Sequence, residues 1–540
     1  MKKRELNTFK RIGIGLFVAL FLLPTFSKAQ ESVQENQLKF ARLLRLVDGY
    51  YVDSANVTKL TEDAIVHLLS ELDPHSTYIS KEEVEKMNEP LKGNFEGIGI
   101  SFNIYKDSLL VTTIIAGGPS EKVGLREGDR IVEVDGKNIA GIGLKNSDVF
   151  DLLRGEKGTV VNLKVYRKSE PDLLAFRIIR DKIPIYSLDA SYMIDETTGY
   201  IKLNKFAATT NEEFETAMRD LKREGIQNLI LDLRGNGGGY LKSAIEISDQ
   251  FLGDGELVVY TSGLNDPKRE YDASSAGDFE TGKLVVLVDE GSASASEIVT
   301  GAVQDWDRGI VVGRRSFGKG LVQKPFFLTD GSMVRLTTAH YYTPSGRCIQ
   351  KPYEEGVTEY RNDYANRMSN GEMFYADSIH FDDSLKYKTL QSGRNVYGGG
   401  GIMPDIFVPL DTSHYYSYLN QLRRKNVPYN YVLDFIDANR DKLKKQYPDF
   451  ESFNSKFKIG EDAIAEVVER GVKEGVEEDQ ESLAFIEDNL KQELKAYIAR
   501  DVYSRNDMYK ILNSDDDAIL KAIDVLENQT EYKNLLVSTD

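Results

Sequence analysis

Cysteine and histidine are scarce in this chain, at one and five in 540 residues. A single cysteine excludes an internal disulfide and a Cys-rich zinc site. Five histidines are a thin supply for metal ligands or for several His-based sites, so a hydrolytic centre here need not use histidine as its base. Positive charge is also in deficit: 68 basic residues stand against 86 acidic ones, for a net charge of −18. That balance argues against a nucleic-acid binder, whose footprint is a basic stripe. Among what is present, a 41% hydrophobic share with 10% aromatics is enough for sizeable cores and excludes general disorder. At about 100–200 residues per domain the length implies three or more structural units.

The first residues read as an export signal rather than as fold. Lys2, Lys3, Arg4, Lys10 and Arg11 form a basic leader, followed by an apolar run from Ile12 to Leu23 and a break at Pro24. The run falls short of the roughly twenty residues that span a bilayer. Ser27-Lys28-Ala29 places small residues where a signal peptidase reads them, so cleavage is expected near Ala29, with an uncleaved anchor as the competing reading. No cysteine is available there for a lipid. Removing residues 1–29 takes the net charge to about −23.

Residues 34–73 carry two amphipathic helices, with Phe40, Leu43, Leu44 and Val47 on one and Leu60, Ala64, Ile65, Leu68 and Leu69 on the other. Leu72-Asp73-Pro74-His75-Ser76 ends the second. From Gly93 to Lys168 the texture turns to short strands and glycine turns: Ile98–Ile104, Leu109–Ile115, Arg130–Val134 and Val160–Arg167, with a short helix at Ser147–Leu153. Residues 183–350 alternate apolar strands (Tyr200–Leu203, Asn228–Leu233, Leu284–Asp289, Ile310–Gly313) with helices (Asn211–Glu224, Leu241–Phe251, Ser294–Asp305). That pattern predicts an α/β core whose helices cover a buried sheet. Residues 351–400 read as an insertion or lid, and the chain beyond Pro409 as charged helix.

Three segments could carry chemistry. Gly291 to Glu297 joins a buried strand to an apolar helix, so a serine there lies near bared N–H groups and a positive helix end. The bland alternative is an N-cap with small residues for close packing. The pattern is not the G-x-S-x-G elbow. The histidines (His67, His75, His340, His380, His414) look ill placed as partners, whereas a desolvated lysine can serve as base. Lys319, between Gly318 and Gly320, is the candidate, and Gln323 could orient it by a hydrogen bond; a solvated turn and a surface glutamine are the bland readings. Asp232-Leu233-Arg234-Gly235-Asn236-Gly237-Gly238-Gly239 runs from strand into a turn that bares amides for an anion. It matches neither a Walker loop nor the dinucleotide fingerprint.

Together these segments resemble the C-terminal processing peptidases (tail-specific proteases) over residues 36–410. The resemblance rests on Leu72–Ser76, Asp232-Leu233-Arg234 with its glycines, Ser292–Glu297, Phe317-Gly318-Lys319-Gly320 and Tyr342-Thr343-Pro344-Ser345-Gly346-Arg347. The serine three residues before the glutamate is Ser294, the lysine 25 residues later is Lys319, and the glutamine four further on is Gln323. The resemblance implies catalysis by Ser294, Lys319 and Gln323, an oxyanion hole at the amides of Ala295 and Gly238, and no cofactor or metal. Glu297 is expected to shape the site rather than exchange protons, and Arg234 to scaffold the turn. Residues 93–168 resemble a PDZ domain, with Gly97-Ile98-Gly99-Ile100 as the carboxylate loop and the next strand pairing with the peptide. Arg154 is expected at a contact between this domain and the protease, with a regulatory role.

The implied fold is α+β and multidomain: a crotonase-like α/β protease core with an inserted PDZ β-domain and helical N- and C-terminal regions. The divisions are a signal peptide (1–29), a helical region (30–92), the PDZ domain (93–180), the protease core (181–410, with the 351–400 insertion) and a helical tail (411–540). The implied function is a periplasmic serine endopeptidase acting on polypeptides with exposed C-termini. No nucleic acid is expected as partner, and homodimerisation and inner-membrane proximity stay open. The rivals are a PDZ scaffold with an idle site and a crotonase-like acyl-CoA enzyme, the latter opposed by the PDZ block, the leader and the Lys319 spacing.

Overall fold

The computed structural model describes residues 25–168, 170–380, 382–410 and 416–537. The basic leader and apolar run of residues 1–24, and His414, lie outside them. The chain divides into two compact units, Met1–Tyr78 and Ile79–Asp540. In the first, helices Thr25–Tyr50 and Val57–Ser70 match the two amphipathic segments. Asn56 Oδ1 caps the second by accepting from Lys59 N at 3.0 Å. After it, Asp73 Oδ1 accepts the amides of His75 and Ser76, both at 2.8 Å, which makes the Asp-Pro-His-Ser motif an Asx-type turn.

The second unit opens with helix Lys81–Lys92 and then a two-stranded ribbon, Asn94–Gly97 antiparallel to Asp181–Pro184. The ribbon brackets an antiparallel sheet in the order Ile100–Tyr105, Ser108–Ile114, Arg130–Val134, Val160–Tyr166, Leu174–Ile179. The last of these strands was not expected. Leu109, Val111, Ile131, Val161, Leu163 and Val165 fill the core of this domain. Ile100–Tyr105 is an edge strand, so its outer backbone groups are open to a further strand.

Beyond the ribbon lies a six-stranded sheet: Leu188–Met193 antiparallel to Thr198–Leu203, then Asn228–Asp232, Lys283–Val288, Ile310–Gly313 and Ile406–Phe407, all parallel. Its central strands are apolar on both faces, as a sheet covered on both sides requires. Leu229 and Leu231 face helices Thr210–Glu224, Leu241–Asp249 and Ala295–Asp305. The alternate residue Ile230, with Val285, Leu287 and Val312, meets Ile519, Ala522, Val525 and Leu526. These come from helix Asp517–Glu527, so the expected C-terminal tail is not one piece. Its end closes the second face of the six-stranded sheet. Its earlier helices, from Tyr416–Arg424 to Gln480–Val502, form a separate core. That bundle meets two turns of the antiparallel domain through Lys106–Asp434 at 2.9 Å and Arg440–Glu127 at 2.7 Å.

Residues 351–400 are not a loose lid. They contain helix Val357–Ser369 and a small hairpin, Lys386–Lys388 with Asn395–Tyr397, and bury Tyr360, Met373 and Val396.

Candidate active site

Lys283–Val288 delivers the chain to a tight turn, and helix Ala295–Asp305, buried along its whole length, leads away. Ser294 sits at the junction with φ 56°. A non-glycine residue held there costs about 1–3 kcal/mol, and the surroundings fix it. Ser292 Oγ donates to Leu233 O at 2.9 Å, while Ala293 N and Ser296 Oγ both donate to Asn236 O, at 3.0 and 2.8 Å. The serine turn and the glycine turn are thus laced together.

Gly238 is required to be glycine. Its φ is +98°, and a Cβ there would stand 2.7 Å from Ala293 O and 2.9 Å from both Ala295 N and Ser294 Cβ. Its amide, expected to face an oxyanion, instead donates to Asn236 Oδ1 at 2.9 Å. In this structure the residue contributes close approach to Ser294 rather than a presented donor, because Asn236 Oδ1 claims the N–H. Ala295 N opens the helix beside it.

Arg234 scaffolds the same turn. Its guanidinium lies between Asp232 (Nη2 to Oδ2, 2.8 Å) and Asp516, with Nη1 2.9 Å from each Asp516 oxygen. Burial alone would raise the carboxyl of Asp232, but Arg234 and Lys202 overcome it and hold the group far below its ordinary value.

Glu297 ties the serine and lysine segments together. It is fully buried, and its Oε2 accepts the amides of Ser294 at 2.8 Å and Lys319 at 2.9 Å. Oε1 accepts Ser316 Oγ at 2.6 Å and Gly318 N at 2.7 Å. Burial pushes this carboxyl up against four hydrogen bonds that hold it down. Its bond to Lys319 goes to the main chain. Tyr341, which sequence reasoning missed, closes the other side: its hydroxyl lies 2.6 Å from Lys319 O and 3.1 Å from Ser294 O.

Lys319 Nζ donates to Gln323 Oε1 at 3.0 Å. Gln323 lies on strand Leu321–Phe327, paired with Met333–Tyr342, and the register slips between Val322 and Gln323. A bulge at that point re-aims the glutamine side chain. Gly318 has φ +87° and packs against the backbone of Gly400 and Gly401, where a Cβ would be crowded at 3.0–3.1 Å and strained by that φ.

In the PDZ-like domain, Gly97 ends the ribbon strand and pairs with Asp181, Ile98 is buried, Gly99 takes φ +79°, and Ile100 begins the edge strand. Phe102 on that strand meets Phe150 of helix Asn146–Leu153 edge-on at 5.5 Å, and Phe150 is 43% exposed. Arg154 departs from expectation. Its guanidinium pairs with Glu89 and lies 4.7 Å from the rings of Phe95 and Phe150. Its link to the six-stranded α/β core is indirect, through helix Lys81–Lys92, whose Leu91 carbonyl accepts the Ala208 amide at 2.9 Å.

Family comparisons fit this layout. A model of peptidase family S41 matches residues 197–359, a PDZ domain model matches 110–167, and a family of unknown function matches 418–504. A carboxy-terminal-processing protease of Bartonella bacilliformis is 35% identical over 344 residues, covering 62% of this chain and 78% of that protein. The carboxy-terminal processing protease CtpB of Bacillus subtilis is 33% identical over 352 residues, covering 63% and 73%. Among solved structures, the photosystem II D1 C-terminal processing protease aligns with 58% of this chain and 90% of its own, at 30% identity and a TM-score of 0.34.

Proposed function

The chain belongs to peptidase family S41, among the PDZ-containing carboxy-terminal processing proteases, and from that premise we propose an extracytoplasmic endopeptidase that cuts with a Ser294/Lys319 dyad. One observation carries the reading: a single buried carboxylate, Glu297, binds the amides of both Ser294 and Lys319. With Tyr341 at both carbonyls, the two residues share one rigid frame.

In acylation, the unprotonated Lys319 amine takes the hydroxyl proton of Ser294 as Oγ bonds to the peptide carbonyl carbon. The C–N bond then breaks, and the lysine returns the proton to the leaving amine. In deacylation, water gives a proton to Lys319 as its oxygen attacks the ester carbonyl, the C–Oγ bond breaks, and Lys319 returns the proton to Ser294 Oγ. Gln323, held to Lys319 Nζ, orients the amine. The oxyanion is held by Ala295 N–H at the helix start, joined by Gly238 N–H when it exchanges Asn236 Oδ1 for the substrate oxygen.

Substrate C-termini enter through the PDZ domain. The Gly97–Ile100 loop takes the carboxylate and the edge strand Ile100–Tyr105 takes the chain by β-augmentation. We read the core as crotonase-like, a sheet with its site at the helix starts, and keep the sequence divisions as far as residue 410; of the 411–540 tail, helix Asp517–Glu527 joins the protease core. The N-terminal leader directs the chain out of the cytoplasm, and retention of that leader would keep the enzyme at the membrane. Cell fractionation of the intact and leader-deleted chains tests that.

The activity test uses the mature protein beside Ser294→Ala and Lys319→Ala, with an unstructured polypeptide ending in apolar residues. Cleavage by the parent alone supports the dyad. Equal binding with no cleavage by all three supports the rival, a PDZ scaffold with an idle site.

A further inference from the structure

Glu297 secures only one edge of the loop that carries Lys319. It takes Ser316 Oγ and the amides of Gly318 and Lys319, all on the donor side. The acceptor side is the carbonyls of Arg315, Ser316, Phe317 and Gly318, and every one of them receives a donor from the 351–400 insertion. Arg367, on helix Val357–Ser369, is 2% exposed. Its Nη1 donates to Ser316 O at 2.9 Å and Arg315 O at 3.2 Å, and its Nη2 to Phe317 O at 3.4 Å. Lys351 N takes Gly318 O at 2.9 Å.

The guanidinium charge is balanced from behind by two carboxylates, without a hydrogen bond at Nε. Its Nε lies 3.0 Å from Asp363 Oδ2 and 3.6 Å from Glu372 Oε1, and Glu372 also binds Arg315. Lys351 adds a second hold, with Nζ 4.1 Å from the Phe317 ring, 4.2 Å from the Tyr360 ring and 2.9 Å from Asp363. Residues 315–320 belong to no helix or strand, and Gly318 is in the left-handed region. A segment of that kind owes its shape to such bonds rather than to a ladder. A planar fork of fixed donors holds three successive carbonyls in one geometry, whereas a lysine offers a compact charge on a flexible stem that fixes no such geometry.

We propose that the 351–400 insertion sets the catalytic lysine, with Arg367 as the positioning residue for Lys319, through the carbonyls of residues 315–317. This rests on Lys319 being the base. The insertion is then part of the protease machinery rather than a lid.

The test compares full-length Arg367→Lys and Arg367→Met with the parent, Ser294→Ala and Lys319→Ala. The substrate is one unstructured polypeptide ending in apolar residues, and rates are taken per folded molecule, well below each melting temperature. Misplacing a reacting group by about 1 Å costs about 100-fold in rate. The expected result is a kcat 10- to 100-fold lower in Arg367→Lys and lower still in Arg367→Met, with KM and PDZ-peptide affinity within about twofold of the parent. A kcat per folded molecule equal to the parent's in Arg367→Lys overturns the proposal, as does a rise in KM at unchanged kcat. If Arg367→Met does not fold, Arg367→Lys, which keeps the buried charge, decides alone. Retained cleavage by Lys319→Ala would instead overturn the dyad.

Discussion

Glu297→Gln is the perturbation whose cost follows most directly from the site. Each carboxylate oxygen accepts two donors: Oε1 from Ser316 Oγ and Gly318 N, Oε2 from Ser294 N and Lys319 N. An amide keeps one acceptor oxygen and sets an NH2 against the other two donors, so neither orientation satisfies the site. With NH2 toward Ser294 and Lys319, two buried amides lose their acceptor, at about 1–3 kcal/mol each, or about 2–6 kcal/mol together. With NH2 toward Ser316, the hydroxyl can rotate, and only the Gly318 amide is orphaned, for about 1–3 kcal/mol. The variant is expected to choose the second orientation, to lose about 1–3 kcal/mol in denaturant unfolding, and to fall in kcat as the lysine loop shifts. The assay pairs urea unfolding of the full chain with kcat on an unstructured polypeptide. Unchanged stability together with unchanged kcat would refute the idea that this carboxylate frames the site.

Gly238→Ala should abolish cleavage while leaving PDZ-peptide affinity intact, because its methyl would stand within 2.9 Å of Ser294 Cβ and Ala295 N; measured turnover near the parent's would contradict this. The carboxyl of Asp232 titrates below its ordinary 3.8 in the folded chain, so its contribution is present above that pH and lost as pH falls through and below it. Asp232→Asn should therefore unfold more easily near neutrality, by less than the ~3–5 kcal/mol of a fully unpaired buried charge because Arg234 keeps Asp516, yet show a shallower acid loss in stability-versus-pH curves. Arg154→Ala, which frees Glu89 and the Phe95 and Phe150 rings, should reduce cleavage of substrates with an apolar C-terminus more than that of amidated ones; equal rates for both would remove its regulatory role.

The serine and lysine proposed as the dyad, and the strands that lead to them, stand out in the sequence because their signals are local. Buried parallel strands read as continuous apolar runs, and glycines mark the turns where backbones approach, as at Gly238 and Gly318. What was hidden depends on distant partners. Tyr341 reads as one aromatic among several in a strand, and its bonds to Ser294 O and Lys319 O exist only after the fold forms. Arg367 left no pattern, since it serves main-chain carbonyls about fifty residues upstream. The spacing of Ile519, Ala522 and Leu526 shows that a helix buries one face but not that the face lies on the protease sheet. The resemblance implies an oxyanion role for the Gly238 amide, and the neighbouring Asn236 side chain, which holds it here, cannot be aimed from sequence.

The central claim is that Ser294 forms an acyl-enzyme with Lys319 as its base. The direct measurement is a rapid quench of the enzyme with an unstructured polypeptide, followed by peptide mapping by mass spectrometry. The account predicts the N-terminal substrate fragment esterified on the peptide that contains Ser294 in the parent, and no such adduct in Lys319→Ala. An adduct on another residue, or an undiminished one in Lys319→Ala, would contradict it.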